Sequence, residues 1–127
     1  MTISNTMLRN YLELITLTYF VDHNEMPEDL SEFDSYIDTV RRNAEASADL
    51  PWLLRGLQYL LNAPDVNLED YGGGVFPLHA EDVRSIIWRV LDYLQAPGGT
   101  AMPVVPITLP DMTGDEWRAY KASLATA

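Results

Sequence analysis

Apolar residues recur at helical spacing through almost the whole chain, and that period excludes most architectures at once. Over residues 5–21, Met7, Leu8, Tyr11, Leu12, Ile15, Tyr19 and Phe20 fall on one stripe, widened by Leu14 and Leu17. A helix this apolar belongs at the centre of a fold or forms half of a subunit interface. Burial within the monomer is expected, and a homodimer through this helix stays open. Over residues 31–46, Phe33, Tyr36, Ile37 and Val40 stand at i, i+3, i+4 and i+7. Ser31 and Asp34 have the spacing of a capping box, and Asp38 is placed to pair with Arg42 at i+4.

A third helix is predicted from Asp49 as N-cap, with Pro51 in its first turn, to about residue 62. Its stripe is Leu50, Leu53, Leu54, Leu57, Leu60 and Leu61. A fourth covers about residues 80–95 on Val83, Ile86, Ile87, Val90 and Leu94, stopped by Pro97, Gly98 and Gly99. Between these two lies an acidic loop with three successive glycines, Gly72 to Gly74, which reads as a mobile or sharply turning segment. A short strand over 74–76 is conceivable there but has no evident partner. Residues 102–110 carry three prolines and read as extended. Thr113 and Glu116 then form a capping box for a last short helix to about residue 124, and this tail is expected to pack along its own body.

The expected fold is therefore all-α: a small single-domain bundle of four to five helices with a Pro-rich extended C-terminal segment. Residues 1–96 form the helical core, and residues 97–127 the Pro/Gly-rich segment and short C-terminal helix. A length of 127 residues suits one domain, and 47% hydrophobic with 21% charged residues predicts a packed core rather than disorder. There is no cysteine, which excludes disulfides and thiolate metal sites and fits a reducing compartment. The first residues lack a basic n-region and a long apolar run, and no stretch approaches the 18 apolar residues of a membrane span. A cytoplasmic location is expected.

Catalysis requires convergent groups, and the sequence offers few. The two histidines are His23, at the end of the first helix, and His79, at the mouth of the fourth. Structural roles at helix ends account for both. No nucleophile elbow, His-Glu-x-x-His pair or Walker-type loop is present. Asp65, Asn67 and Glu69 imitate the start of a calcium loop. Asp70 replaces its glycine, however, and Phe76 its bidentate glutamate. The expectation is a protein that is not an enzyme and carries no cofactor and no metal.

Charge carries the functional reading. Nineteen Asp and Glu face eight Lys and Arg, a net charge of −11, which opposes direct contact with nucleic acid or anionic membrane and favours a basic partner. The acids are also clustered. Asp22, Glu25, Glu28, Asp29, Glu32, Asp34 and Asp38 follow one another without a single Lys or Arg between them. Asp65, Glu69 and Asp70 form a second group near the glycine loop. Solubility would be served as well by dispersed acids, whereas clustering costs self-repulsion. Rows of carboxylates on helices can take the place of duplex phosphates in a basic groove. The expected contact residues are Glu25, Glu28, Asp29, Glu32, Asp34 and Asp38, with Asp65, Glu69 and Asp70 as a second patch.

The order of features over residues 30–94 resembles the Ocr-type phage antirestriction proteins. The carriers are the acidic helix DLSEFDSYID (29–38), an aromatic–leucine helix, the acidic loop NLEDY (67–71), Pro77, and EDVRSIIW (81–88). This chain also places Arg41, Arg42, Arg84 and Arg89 within its helices and prolines in its tail. The resemblance implies an all-helical mimic of B-form DNA that blocks a nucleic-acid-binding defence complex, antirestriction or anti-CRISPR in kind. Its partner would be a basic protein surface. An immunity protein or antitoxin against a nuclease toxin predicts the same surface. A self-associating structural or assembly protein remains a further alternative.

Overall fold

The computed structural model describes residues 1–63, 65–74, 77–95 and 106–125. Among them are five α-helices and no strand: α1 (Asn5–Asp22), α2 (Asp34–Ala46), α3 (Leu50–Asn62), α4 (Ala80–Leu94) and α5 (Gly114–Ala125). Two 3₁₀ turns, Leu30–Phe33 and Leu68–Tyr71, lie in the α1–α2 and α3–α4 connections. The small all-α fold expected from periodicity is present. The strand considered over 74–76, the stop at residues 97–99 and the first part of the Pro-rich segment fall wholly or partly outside the described residues. No helix among those described is long and apolar enough to cross a membrane.

The apolar stripes meet as their spacing requires. Helices α2 and α3 each pack against both α1 and α4. Leu8, Leu12 and Ile15 of α1, Ile37 and Val40 of α2, Leu53, Leu57 and Leu60 of α3, and Ile86 and Ile87 of α4 are fully buried, together with Phe33. At roughly 25 cal/mol per Å² of apolar surface, this joint burial is the main stabilising term. Helix α1 is thus central within the monomer. One crossing is especially close: a Cβ on Gly56 of α3 would stand 2.5 Å from Leu8 Cδ2 of α1.

Helix ends depart from expectation in three places. Helix α2 starts at Asp34, not Ser31, and the Ser31–Asp34 box does not form. Asp29 caps instead, its carboxylate accepting from the Ser31 N–H at 2.9 Å, and residues 30–33 wind as a 3₁₀ turn that buries Phe33. Asp38 does not pair with Arg42, whose guanidinium donates to Thr39 Oγ1 at 3.1 Å. Arg41 lies nearer, 3.8 Å from Asp38, because it turns toward α4 and donates to the Tyr93 carbonyl at 3.1 Å. At α3, Asp49 is the N-cap residue, yet its side chain makes no capping bond.

The C-terminal segment packs along its own body. Residues 106–112 run parallel to the first residues of the chain, with Ile3 N–H donating to Thr108 O at 3.0 Å and Asn5 N–H to Pro110 O at 2.9 Å. The Thr113–Glu116 box then opens α5 with reciprocal bonds of 3.0 and 3.1 Å. Trp117 of α5 is buried and meets Trp52 of α3 edge to face at 5.4 Å.

Candidate protein-binding surface

Helix α1 ends at Asp22, and the backbone turns away at His23, whose Nδ1 lies 2.8 Å from the Tyr19 carbonyl while its ring stacks on Tyr19 at 3.9 Å. The segment that follows carries Glu25, Glu28, Asp29 and Glu32, all exposed. None of the four is within ion-pair distance of a Lys or Arg among the described residues. The Ser31 backbone N–H holds the Asp29 carboxyl below the usual carboxylate range, and the charge of Arg89 adds to this. Buried Phe33 anchors the segment from one side and Tyr19 from the other, their rings 4.8 Å apart.

Asp34 and Asp38 have different surroundings. Arg89 of α4 forks onto Asp34 with bonds of 2.9 and 2.7 Å, and Tyr93 Oη donates to Asp38 at 2.9 Å. The Arg41 and Arg89 guanidinium groups flank the Tyr93 ring at 5.3 and 5.7 Å. These two acids therefore join α2 to α4, with side chains 25% and 44% exposed. Bidentate pairing fixes Asp34 in particular, since a fork–fork pair is both directional and charge-assisted.

The second group, Asp65, Glu69 and Asp70, is exposed on the connection from α3 to α4. Its 3₁₀ turn is held by buried Leu68 and Tyr71, and the Tyr71 hydroxyl donates to Asn5 Oδ1 at the start of α1. The glycines behind it turn sharply, with φ of 82° at Gly73 and 76° at Gly74. At Gly73 a Cβ would come 2.6 Å from Thr16 Oγ1, so α1 itself forbids a side chain there. The two acidic groups thus sit on different stretches of α1. One departs from its last residue, whereas the other is anchored between Asn5 and Thr16.

Six of the eight Lys and Arg side chains, Arg42 through its bond to Thr39 among them, are engaged within the molecule. Arg41, Arg89, Arg118 and Lys121 are in ion pairs, and Arg84 donates to the Leu61 carbonyl at the end of α3 at 2.7 Å. Among the described residues, five of the nineteen acids, Asp34, Asp38, Asp49, Asp92 and Asp115, gain a cationic neighbour within ion-pair distance. Of the other fourteen, eight lie on connections between helices, among them Glu25, Glu28, Asp29 and Glu32, and six on the helices themselves.

Two features escaped the reading of the sequence. The first is Asp49, buried between α1, α3 and α5 beside a cleft of about 570 Å³. Its carboxylate accepts from Tyr11 Oη at 2.6 Å, from Trp117 Nε1 at 2.8 Å and from the Lys121 ammonium. Both oxygens are engaged, so the cleft presents no free acid or base. No signal in the sequence links residues 38, 68 and 72 positions apart. The second is Trp88, 51% exposed on α4 beside a shallow hollow of about 330 Å³ shared with Leu30, Leu61, Arg84 and Ser85. A tryptophan one position off the Val83–Ile87 stripe was a visible signal, although its neighbours were not. No group of three His, Asp or Glu among the described residues is placed to hold a metal ion.

Comparison with protein-family models, with curated proteins and with solved structures gives no match to this chain.

Proposed function

We propose that this chain is an acidic protein inhibitor that occupies the basic nucleic-acid-binding site of a host defence complex, in the antirestriction or anti-CRISPR manner. One observation carries the reading: Glu25, Glu28, Asp29 and Glu32 stand exposed on one connection with no ion pair among the described residues, while Arg41, Arg89, Arg118 and Lys121 pair with acids elsewhere. Uncompensated carboxylates raise the negative potential over that face and steer a basic surface toward it. Asp65, Glu69 and Asp70 extend the field to a second region. The acids that already hold α2 to α4 contribute charge but have less freedom to reorient toward a partner.

The test is affinity capture from host lysate with identification by mass spectrometry, then binding to the captured partner across salt. A nucleic-acid-binding complex is expected, displaced by its own DNA or RNA, with affinity falling steeply between about 50 and 500 mM salt. The triple change Glu25→Lys, Glu28→Lys and Glu32→Lys should weaken binding by at least about 100-fold, from roughly 1 kcal/mol per charge contact. Because all three side chains are exposed, the urea midpoint should stay level or rise slightly. Affinity indifferent to salt would end the proposal, and capture of a nuclease toxin would replace it with the immunity reading.

A further inference from the structure

Among the described Phe, Tyr and Trp residues, Trp88 is the one that is exposed, the others being buried or half-buried. Trp117 is 4% exposed and packed on Trp52, whereas Trp88 is 51% exposed, and its indole N–H has no hydrogen-bond partner among the described residues. It borders a hollow walled by half-buried Leu30 and Leu61, with Ser85 and Arg84 one turn earlier on α4. Arg84 is drawn aside by the Leu61 carbonyl, which keeps its guanidinium on the wall. An exposed tryptophan beside leucines and an arginine has the composition of an interface hot spot rather than of a solvated surface.

Charge around the hollow selects its occupant. Leu30 belongs to the acidic connection, directly after Glu28 and Asp29 and two residues before Glu32, all exposed. Leu61 belongs to the last turn of α3, and its carbonyl accepts from Arg84 at 2.7 Å. One turn beyond Trp88, Asp92 is 55% exposed, with Arg89 3.8 Å away. Arg84, the one charged residue among the described ones lining the hollow, is engaged by the Leu61 carbonyl. The charges nearest along the chain to Leu30 in its wall are therefore the unpaired carboxylates of Glu28, Asp29 and Glu32, which complement a basic amphipathic protein segment.

We infer that the Trp88 hollow is the anchor point of the partner. It would receive one apolar side chain of a Lys/Arg-rich protein segment, whose flanking cations meet the carboxylates of residues 25–32 and the face of the Trp88 ring. This deepens the proposed function and rests on its claim that the acidic connection meets a basic protein. It adds a component of binding that salt does not screen, which charge mimicry alone lacks.

The probes are two synthetic peptides of equal charge, one of Arg and Leu in amphipathic helical order and one in which each Leu is Ser. Binding is measured by calorimetry to the full chain at about 50 and 500 mM salt. The Leu peptide should bind more tightly and keep measurable affinity at high salt. Trp88→Ala should weaken it roughly 30-fold while leaving the Ser peptide within twofold. The Glu25, Glu28 and Glu32 lysine triple should weaken both peptides. If Trp88→Ala leaves the Leu peptide unchanged while the triple still acts, the hollow is not the anchor and only the acidic reading stands. If neither peptide responds to the triple, the acidic reading itself fails. Light scattering on the chain alone should give a monomer, and a dimer abolished by Trp88→Ala would overturn the proposal by naming a second copy as occupant.

Discussion

Asp49 occupies a helix N-cap position but turns its carboxylate inward, where Tyr11, Trp117 and Lys121 converge on it. Its side chain is 8% exposed and that of Lys121 13%, so neither charge has water to fall back on. Removing one member of a buried pair leaves the other uncompensated, and this costs more than the pair itself contributes. Asp49→Ala should therefore destabilise the protein by about 3 kcal/mol in urea denaturation. A loss below about 1 kcal/mol would mean that the carboxylate does not hold α5 in place. At this scale the sequence was only partly legible. Residue types announced capping boxes, and the Thr113–Glu116 box formed. Ser31 and Asp34 lost theirs because Asp29 and the burial of Phe33 offered a better local arrangement.

Elements were more legible than single bonds. The predicted ranges of α1, α3, α4 and α5 agree with the observed ones to within about two residues, because an apolar period of 3.6 is a property of the element alone. How closely two elements approach is not. Gly56 reads as a mild defect inside a leucine helix, yet it admits α1 so closely that Leu8 would collide with any added Cβ. Gly56→Ala gains about 1 kcal/mol of helix propensity and meets about 1–3 kcal/mol of overpacking against a fully buried side chain. A net loss of about 1 kcal/mol is expected from thermal or urea unfolding. A variant as stable as the parent would show that α1 and α3 can separate freely at this crossing. The candidate hollow belongs to the same scale: Trp88 was visible, whereas Leu30 and Leu61 reach it only through packing of α3 and the 3₁₀ turn on α4.

The molecule as a whole has an alkaline limit built into its tyrosines. Burial, with the Asp49 hydrogen bond and charge, pushes the Tyr11 phenol upward, and burial also raises Tyr19 and Tyr71. The hydrogen bond to Asp38 raises Tyr93. A raised folded value means that the unfolded chain releases these protons first. The stabilisation is complete below the ordinary phenol value of about 10 and is lost as pH climbs toward the folded values. The urea midpoint should hold steady to about pH 9 and fall beyond about pH 10. Tyr11→Phe should flatten that fall. A Tyr11→Phe variant whose midpoint falls as steeply as the parent's would contradict the assignment.

Helical period, the absence of cysteine and a net charge of −11 are properties of residue types and their order. From them the sequence alone determined an all-α chain that must bury its stripes and carry an excess of acid. Which acids remain free is a different matter, because pairing depends on what lies opposite in space. Tertiary packing brought Arg89 to Asp34, Tyr93 to Asp38 and Lys121 to Asp49, residues 55, 55 and 72 positions apart. It thereby left Glu25, Glu28, Asp29 and Glu32 without an ion pair among the described residues and set Trp88 beside Leu30 of the same connection. Charge is counted along the chain, but its neutralisation is decided by distance, and only the fold sets distances.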